Sequence, residues 1–160
     1  MMLDASQFTV GSLADAKPLS LVMPRRGGEP FVIVGRRGEE VVGLFVGAEN
    51  RFVSIRCAGT TNWAGLIIAD VSVEADPTSM FNPDYDDVPA GALVRADTRL
   101  LVQAKRESIM DGPLAVTLVD QLIDAGSQKA GFKHWQIVVG QGLDKRVLHT
   151  VDVRQSPSTI

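Results

Sequence analysis

An acidic segment of the chain carries side chains that could bind a metal ion. Asn82, Asp84 and Asp86 occupy alternating positions, and Asp87 follows directly. Carboxylate and amide oxygens are the hard ligands that calcium prefers. An EF-hand loop starting at Asn82 would, however, require a glycine where this chain has Asp87 and a glutamate where it has Leu93. We therefore interpret the segment as a solvated loop whose Asp and Asn side chains bond to their own turns, and we predict no metal site.

Aromatic residues in two polar loops could form a contact surface. Trp63 follows Asn62 among small polar residues, and Phe81 and Tyr85 belong to the acidic segment. Such side chains often anchor a bound partner, so they could line a cleft for a peptide, a sugar or another subunit. The candidate binding residues are Asn62, Trp63, Phe81, Asp84, Tyr85, Asp86 and Asp87. In the alternative interpretation Trp63 closes one end of the fold, since tryptophan is highly buried on average.

Catalytic residues are not indicated by any local motif. His134 could be combined with Ser79 or Ser108 and an aspartate into a nucleophilic triad, but no Gly-x-Ser-x-Gly turn surrounds either serine. A triad is defined by spatial roles, which composition does not supply. An alternative function is kept open, namely a small-ligand enzyme whose site lies in a barrel mouth and uses the acidic loop residues and His134.

Two glycines near the end of the chain match a cofactor loop only in part. Gly140 and Gly142 follow a predicted strand, as the first glycines of a dinucleotide-binding loop do. The third glycine and the following helix are missing, because residues 143–146 lead into another extended segment. We predict a hairpin turn here and no cofactor.

Composition and charge exclude several classes of partner. The chain has 160 residues and a formal net charge of -3, which provides no broad attraction to nucleic acid. No apolar stretch approaches the roughly 18 residues of a membrane span, and the first residues lack the layout of a secretory signal. Cys57 is the single cysteine, which fits a reducing compartment. We expect a soluble, cytoplasmic protein without a nucleic-acid or membrane partner.

A β-rich fold must position these residues. Between residues 31 and 106, short apolar segments alternate with glycine, proline or charged turns, which is the pattern of successive strands. Segments 31–34 and 41–46 flank a charged glycine turn and predict a hairpin. Segment 66–75 predicts one long strand that is buried on both sides in its first half. Further strands are predicted at 19–23, 51–57, 92–96, 99–105, 132–139 and 147–153, with a hairpin between the third and fourth of these.

The segment 113–125 is the exception to this pattern. Its apolar residues recur at helical spacing, Asp111 could cap the start of a helix, and Gly126 stands where the helix would end. We predict a helix here. The alternative is a strand over 114–119, because three of its residues are β-branched.

These patterns together predict a mainly β protein. We expect an irregular β-barrel or a two-sheet sandwich of about eight or nine mostly antiparallel strands, with one helix over about 113–125. Residues 1–154 would form a single domain, and residues 155–160 would form a loose tail.

The predicted function is a binding or assembly module without evident catalytic machinery. Beside the enzyme alternative, a third hypothesis is a repeating structural subunit of a larger particle. We expect a protein partner or a homo-oligomer, since the apolar strands 31–34 and 41–46 carry few charges and uncovered edges of that kind pair readily.

Overall fold

Two antiparallel β-sheets form the protein in the computed structural model. It describes residues 2–12, 16–24, 32–37, 40–47, 51–56, 64–83, 87–96, 99–105, 114–118 and 129–154. The strands are β1 (Phe8–Ser12), β2 (Leu21–Pro24), β3 (Val32–Arg37), β4 (Glu40–Phe45), β5 (Ser54–Arg56), β6 (Ala64–Ile68), β7 (Ser72–Ala75), β8 (Met80–Phe81), β9 (Leu93–Ala96), β10 (Arg99–Ala104), β11 (Leu114–Thr117), β12 (Lys129–Phe132), β13 (His134–Val139) and β14 (Arg146–Asp152). The same ranges contain the 3-10 helices Ala5–Gln7, Pro77–Ser79 and Gly142–Asp144. No helix within them is long and apolar enough to cross a membrane.

The strand order shows an open arrangement. In the larger sheet neighbouring strands follow the order β1-β6-β2-β3-β11-β10-β9-β12-β8, and β4 pairs with β3 and β5. The smaller sheet has the order β14-β13-β7. Within the described ranges no pairing joins β1 to β8, so the larger sheet is not closed into a barrel. The prediction of a mainly β, antiparallel fold is confirmed, and the arrangement is consistent with its sandwich alternative.

The predicted hairpins are present. β3 pairs with β4 along the whole length of both strands, from Val32 opposite Phe45 to Arg37 opposite Glu40. β9 pairs with β10, with Ala96 opposite Arg99. β13 pairs with β14, with a register shift after Ile137. In each case an apolar segment is followed by a turn and a second apolar segment, which is the pattern that predicted the pairing.

The expected apolar edges are wrong. β3 pairs with β2, β4 and β11, and β4 pairs with β3 and β5. Both strands therefore have neighbours on each side. Their apolar composition reflects burial in the sheet, since Val34, Val42 and Leu44 are fully buried.

The predicted helix is wrong over the part of 113–125 that the structure describes. Leu114–Thr117 forms β11, which pairs with β10 along its length. Val116 and Leu118 are fully buried, at the alternate positions that share one face of an extended chain. A short apolar segment is compatible with both helical and strand periodicity. Here pairing within the sheet and the β-branched residues favour the strand. Residues 119–125 lie outside the described ranges.

The predicted strand 66–75 is divided at Asp70. This residue has a φ of 58°, in the left-handed region. β6 before it pairs with β1 and β2, whereas β7 after it pairs with β13. The chain thus passes from the larger sheet to the smaller one through a bend, as strands at sandwich corners do. The continuous strand is wrong, but Ile67 and Ile68 are both buried, which confirms the burial predicted for its first half.

Two apolar clusters lie on opposite faces of the larger sheet. Ile68 belongs to the main core, whereas its neighbour Ile67 belongs to the second cluster. Successive residues of a strand point to opposite faces, so one strand serves both clusters. Trp135 of the smaller sheet is buried in the main core, where its Nε1 donates to the Gly91 carbonyl at 2.8 Å. The main core therefore joins the two sheets.

Candidate binding site at the corner between the sheets

A cleft of about 420 Å³ opens at the corner where the chain leaves the larger sheet. One wall comes from the first 3-10 helix and the start of β1, a second from the end of β6 and the turn to β7, and a third from the end of β13. Its lining residues lie within the segments 6–9, 67–72 and 139–141. The volume is in the range of small-molecule sites, roughly 300–1,000 Å³. We refer to this feature as the corner cleft.

Asp70 is the charged side chain among the described residues that line the corner cleft. It is exposed, and it makes no hydrogen bond to another residue in the described part of the chain. Its left-handed backbone is uncommon outside glycine, although aspartate tolerates it better than most residues. Such conformations persist where the surrounding structure enforces them, and they cluster at functional sites. The corner thus holds a carboxylate whose oxygens are available as hydrogen-bond acceptors.

Three more polar side chains of the cleft make no hydrogen bond to the described parts of the protein. Thr9 and Ser72 are exposed on β1 and β7. Gln141 directly precedes the 3-10 helix Gly142–Asp144, but its side chain does not cap that helix. Hydroxyl and amide groups both donate and accept hydrogen bonds. The corner cleft therefore presents several polar groups that make no hydrogen bond within the described ranges and can bond to a ligand.

A capping box fixes the first wall of the cleft. The Asp4 carboxylate accepts from the backbone N–H of Ser6 at 2.9 Å and from its hydroxyl at 2.8 Å. The Asp4 backbone N–H in turn donates to Gln7 Oε1 at 3.0 Å. The bonds from Ser6 lower the pKa of Asp4 below its ordinary value. Reciprocal capping of this kind holds Ser6 and Gln7 in place at the edge of the cleft.

A glycine is required in the third wall. Gly140 has a φ of 81°, and a Cβ there would lie 2.5 Å from the carbonyl oxygen of Asp144. Any other residue would therefore combine an unfavourable backbone conformation with a backbone clash. The turn that carries Gln141 has little freedom to rearrange.

A cluster of charged side chains joins the strand ends of the smaller sheet, away from the corner cleft. Arg154 donates to the Asp152 carboxylate through Nε at 3.0 Å and through Nη2 at 2.7 Å. His134 Nδ1 lies 3.0 Å from Arg154 Nη2 and 3.2 Å from Asp76 Oδ2. The Arg154 hydrogen bonds lower the pKa of Asp152 from 3.8 to about 2. The pKa of Asp76 is also lowered, chiefly by hydrogen bonds from Thr78.

Ser79 and His134 are neighbours, but their contact is not that of a catalytic pair. Ser79 is 6% exposed; its hydroxyl donates to the Asp76 carbonyl at 2.8 Å and accepts from the His134 backbone N–H at 3.0 Å. The His134 imidazole instead faces Asp76 and Arg154. A nucleophilic serine needs its hydroxyl bonded to the base, so these side chains do not form the triad considered from the sequence. Ser108 lies outside the described ranges.

Neither Phe81 nor Asp87, the two sequence-predicted binding residues that the structure describes, lines the corner cleft. Phe81 lies in β8, where a Cβ on Gly131 of β12 would overlap its ring, and Lys133 Nζ lies 5.5 Å from the ring centroid. Asp87 is exposed and does not line the cleft. Among the described residues, no group of three or more His, Cys, Asp or Glu side chains could hold a metal ion. The predictions for the other candidates concern positions outside the described ranges: Asn62, Trp63, Asp84, Tyr85 and Asp86.

Sequence reasoning missed the residues that line the corner cleft. Asp70 was included in a continuous strand as one of its alternating polar residues. The available signal was an aspartate directly after the apolar run 66–69. Aspartate tolerates a left-handed backbone and therefore permits a bend at this position. The sequence around Gln141 contained no comparable indication that this residue lines a cleft.

The fold and the cleft define a two-sheet antiparallel β protein with a polar concavity at the sheet corner. The family model described as "Uncharacterised protein y4lG" matches residues 10–159, and the chain belongs to this family. The "Uncharacterized protein y4lG" of Sinorhizobium fredii (strain NBRC 101917 / NGR234) is 42% identical over 147 residues, which cover 92% of this chain and 91% of that protein. No solved structure matches the chain.

Proposed function

We propose that this protein is a binding module that holds a small, neutral, hydroxyl-rich ligand, such as a saccharide unit, in the corner cleft. The observation that carries the proposal is Asp70, an exposed carboxylate held in a left-handed backbone conformation within a cleft of about 420 Å³. Backbone strain of this kind is more often retained at binding sites than elsewhere.

The chemistry of the lining favours hydroxyl groups on the ligand. The Asp70 carboxylate can accept hydrogen bonds from two ligand hydroxyls, and Thr9, Ser72 and Gln141 can both donate and accept. Phe8 adds apolar surface for the C–H faces of such a ligand. The negative charge of Asp70 opposes an anionic ligand.

The enzyme alternative has no comparable support in the described residues. The Ser79 hydroxyl bonds to backbone groups, and the His134 imidazole contacts Asp76 and Arg154. These contacts connect the ends of strands and stabilise the fold. Binding accounts for the geometry better than catalysis does.

Isothermal titration calorimetry with a panel of neutral mono- and disaccharides tests the proposal. We expect at least one sugar to bind the wild-type protein. Asp70→Asn should weaken that binding about tenfold or more, because a hydrogen bond to a charged group contributes roughly 1.5–3 kcal/mol. Asparagine also tolerates the left-handed backbone, so the variant is expected to fold normally.

Asp87→Asn is the matched control, because it removes an exposed carboxylate outside the cleft. This variant should bind the sugar as the wild-type protein does. The proposal is wrong if no sugar of the panel binds, or if Asp70→Asn binds as tightly as the control.

A further inference from the structure

A second, mainly polar hollow lies beside the corner cleft. Its volume is about 300 Å³, at the lower limit of the range found for small-molecule sites. Two of its lining residues, Ser6 and Gln7, also line the corner cleft, so the two concavities share a wall. We call it the side hollow, defined by Met2, Asp4, Ser6, Gln7, Asp144 and Arg146.

Both concavities lie between the same two segments of the chain. On one side, segment 2–9, which contains the first 3-10 helix, contributes to both. On the other side, the connection between β13 and β14 contributes Gln141 to the corner cleft and Asp144 to the side hollow. The backbone N–H of Asp144 donates to the Gln141 carbonyl at 3.1 Å, so these two residues belong to one turn. A ligand in the corner cleft can therefore extend between these segments into the side hollow.

Gln7 presents hydrogen-bond donors at the shared wall. Its Oε1 accepts from the Asp4 backbone N–H at 3.0 Å, which fixes the side chain. Its Nε2 makes no hydrogen bond to the described parts of the chain. An amide nitrogen carries two donors. Gln7 thus offers these donors where a ligand would pass from one concavity to the other.

The charged side chains of the side hollow suit hydroxyl groups. The exposed Asp144 carboxylate makes no hydrogen bond within the described ranges. Arg146 Nη1 donates to the carbonyls of Leu143 at 3.3 Å and Lys145 at 3.2 Å, while Nε and Nη2 bond to no described residue. An acceptor beside a donor matches neighbouring hydroxyl groups, which can do both. The carboxylates of Asp4 and Asp144 oppose an anionic ligand, so a neutral one is favoured.

Both sides of the side hollow are fixed by contacts within the protein. The capping box of Asp4 holds Ser6 and Gln7 on one side. On the other side, Lys145, between Asp144 and Arg146, places its Nζ 2.9 Å from a Glu74 carboxylate oxygen on β7. Groups that are already held in place lose little conformational entropy when a ligand binds.

We propose that the side hollow is a second saccharide subsite, so that the ligand is at least a disaccharide, with one unit in the corner cleft and the next in the side hollow. This inference rests on the proposed function, because its first unit is the ligand proposed for the corner cleft. It adds the length of the ligand and the contacts of the second unit with Asp144 and Arg146.

Isothermal titration calorimetry of the full chain tests the second subsite. The probes are D-glucose, D-galactose and D-mannose, each with its α- and β-linked homodisaccharides, and the readout is the ratio of the monosaccharide Kd to the disaccharide Kd. For at least one linkage the wild-type ratio should be about ten or more, because the second unit adds hydrogen bonds. Asp144→Asn should lower this ratio about fivefold or more, because hydrogen bonds to a charged group are stronger than those to an amide.

Two further variants complete the test. Asp87→Asn removes an exposed carboxylate outside both concavities and should keep the wild-type ratio. Asp70→Asn, in the corner cleft, should weaken the binding of both sugars. A wild-type ratio near one, or a ratio that Asp144→Asn does not change, would overturn the second subsite and leave the proposed function standing. Absence of binding by every sugar would overturn both.

Discussion

Positive φ values mark residues at which the fold depends on one backbone conformation. Gly91 and Gly140 have φ of 89° and 81°, and in each a Cβ would meet a neighbouring group at short distance. Asp70 has a φ of 58° but carries a side chain, which it exposes at the corner cleft. Glycine would adopt this conformation with less strain. Aspartate also tolerates this conformation, so Asp70 makes the bend and at the same time presents a carboxylate at the corner cleft.

Two glycine-to-alanine substitutions separate backbone strain from steric clash. Gly142→Ala should lower the free energy of unfolding by about 1 kcal/mol, since its φ is 59° and a Cβ there would meet nothing within 4 Å. Gly91→Ala should cost roughly 1–3 kcal/mol more, because its Cβ would overlap the buried Phe52 ring. Urea unfolding measures both values. Equal losses in the two variants would contradict the packing described around Gly91.

Asp152 should make stability depend on pH. Its pKa is lowered from 3.8 to about 2 by the Arg154 hydrogen bonds. A carboxyl whose pKa falls on folding stabilises the protein above its unfolded pKa, and this contribution is lost as pH falls through the folded pKa. Asp152→Asn should therefore destabilise the protein at about pH 7, and its difference from the wild type should shrink between about pH 4 and about pH 2.

Urea unfolding of both proteins across this pH range tests the expectation. Asp87→Asn serves as the control, because Asp87 is exposed and forms no ion pair with the described residues. A difference between Asp152→Asn and the wild type that stays constant down to about pH 2 would argue against the pairing with Arg154.

At the scale of elements, the local sequence pattern was sufficient to predict strand pairing where the two strands are close in sequence. The β3–β4 and β9–β10 hairpins follow from two apolar segments and the turn between them. β11 could not be predicted in the same way. The four residues of β11 are compatible with both helical and strand periodicity. Its partners β10 and β3 lie at different distances from it along the chain, so no single hairpin pattern includes them. Tertiary pairing decided its conformation.

Ser79 is expected to stabilise the junction between the 3-10 helix Pro77–Ser79 and β13. Its hydroxyl accepts from the His134 backbone N–H at 3.0 Å and donates to the Asp76 carbonyl at 2.8 Å. Ser79→Ala would leave the part-buried His134 backbone N–H without its acceptor, so it should cost about 1–3 kcal/mol of unfolding free energy. Ser72→Ala, at an exposed serine of β7, should change it by less than about 0.5 kcal/mol. Similar values for the two variants in urea unfolding would refute this role.

At the scale of the whole molecule, the corner cleft could not be read from the sequence. Its lining comes from three segments, 6–9, 67–72 and 139–141, that are far apart in the chain. No local motif connects them, because the passage of the chain from one sheet to the other brings them together. The sequence pattern points instead to the acidic segment around Asp87, because long polar loops often carry function. The class of fold was predictable from strand patterning, whereas the location of the cleft depended on topology.

Chemical-shift mapping by proton–nitrogen NMR tests the central claim most directly. The probe is the neutral sugar that binds most tightly in the calorimetric panel, titrated into the wild-type protein. The proposed function predicts that the largest amide shifts occur at Thr9, Asp70, Ser72 and Gln141, on the three walls of the corner cleft. Largest shifts around Phe81 and Asp87, with the corner unaffected, would contradict it and place the binding site in the acidic segment.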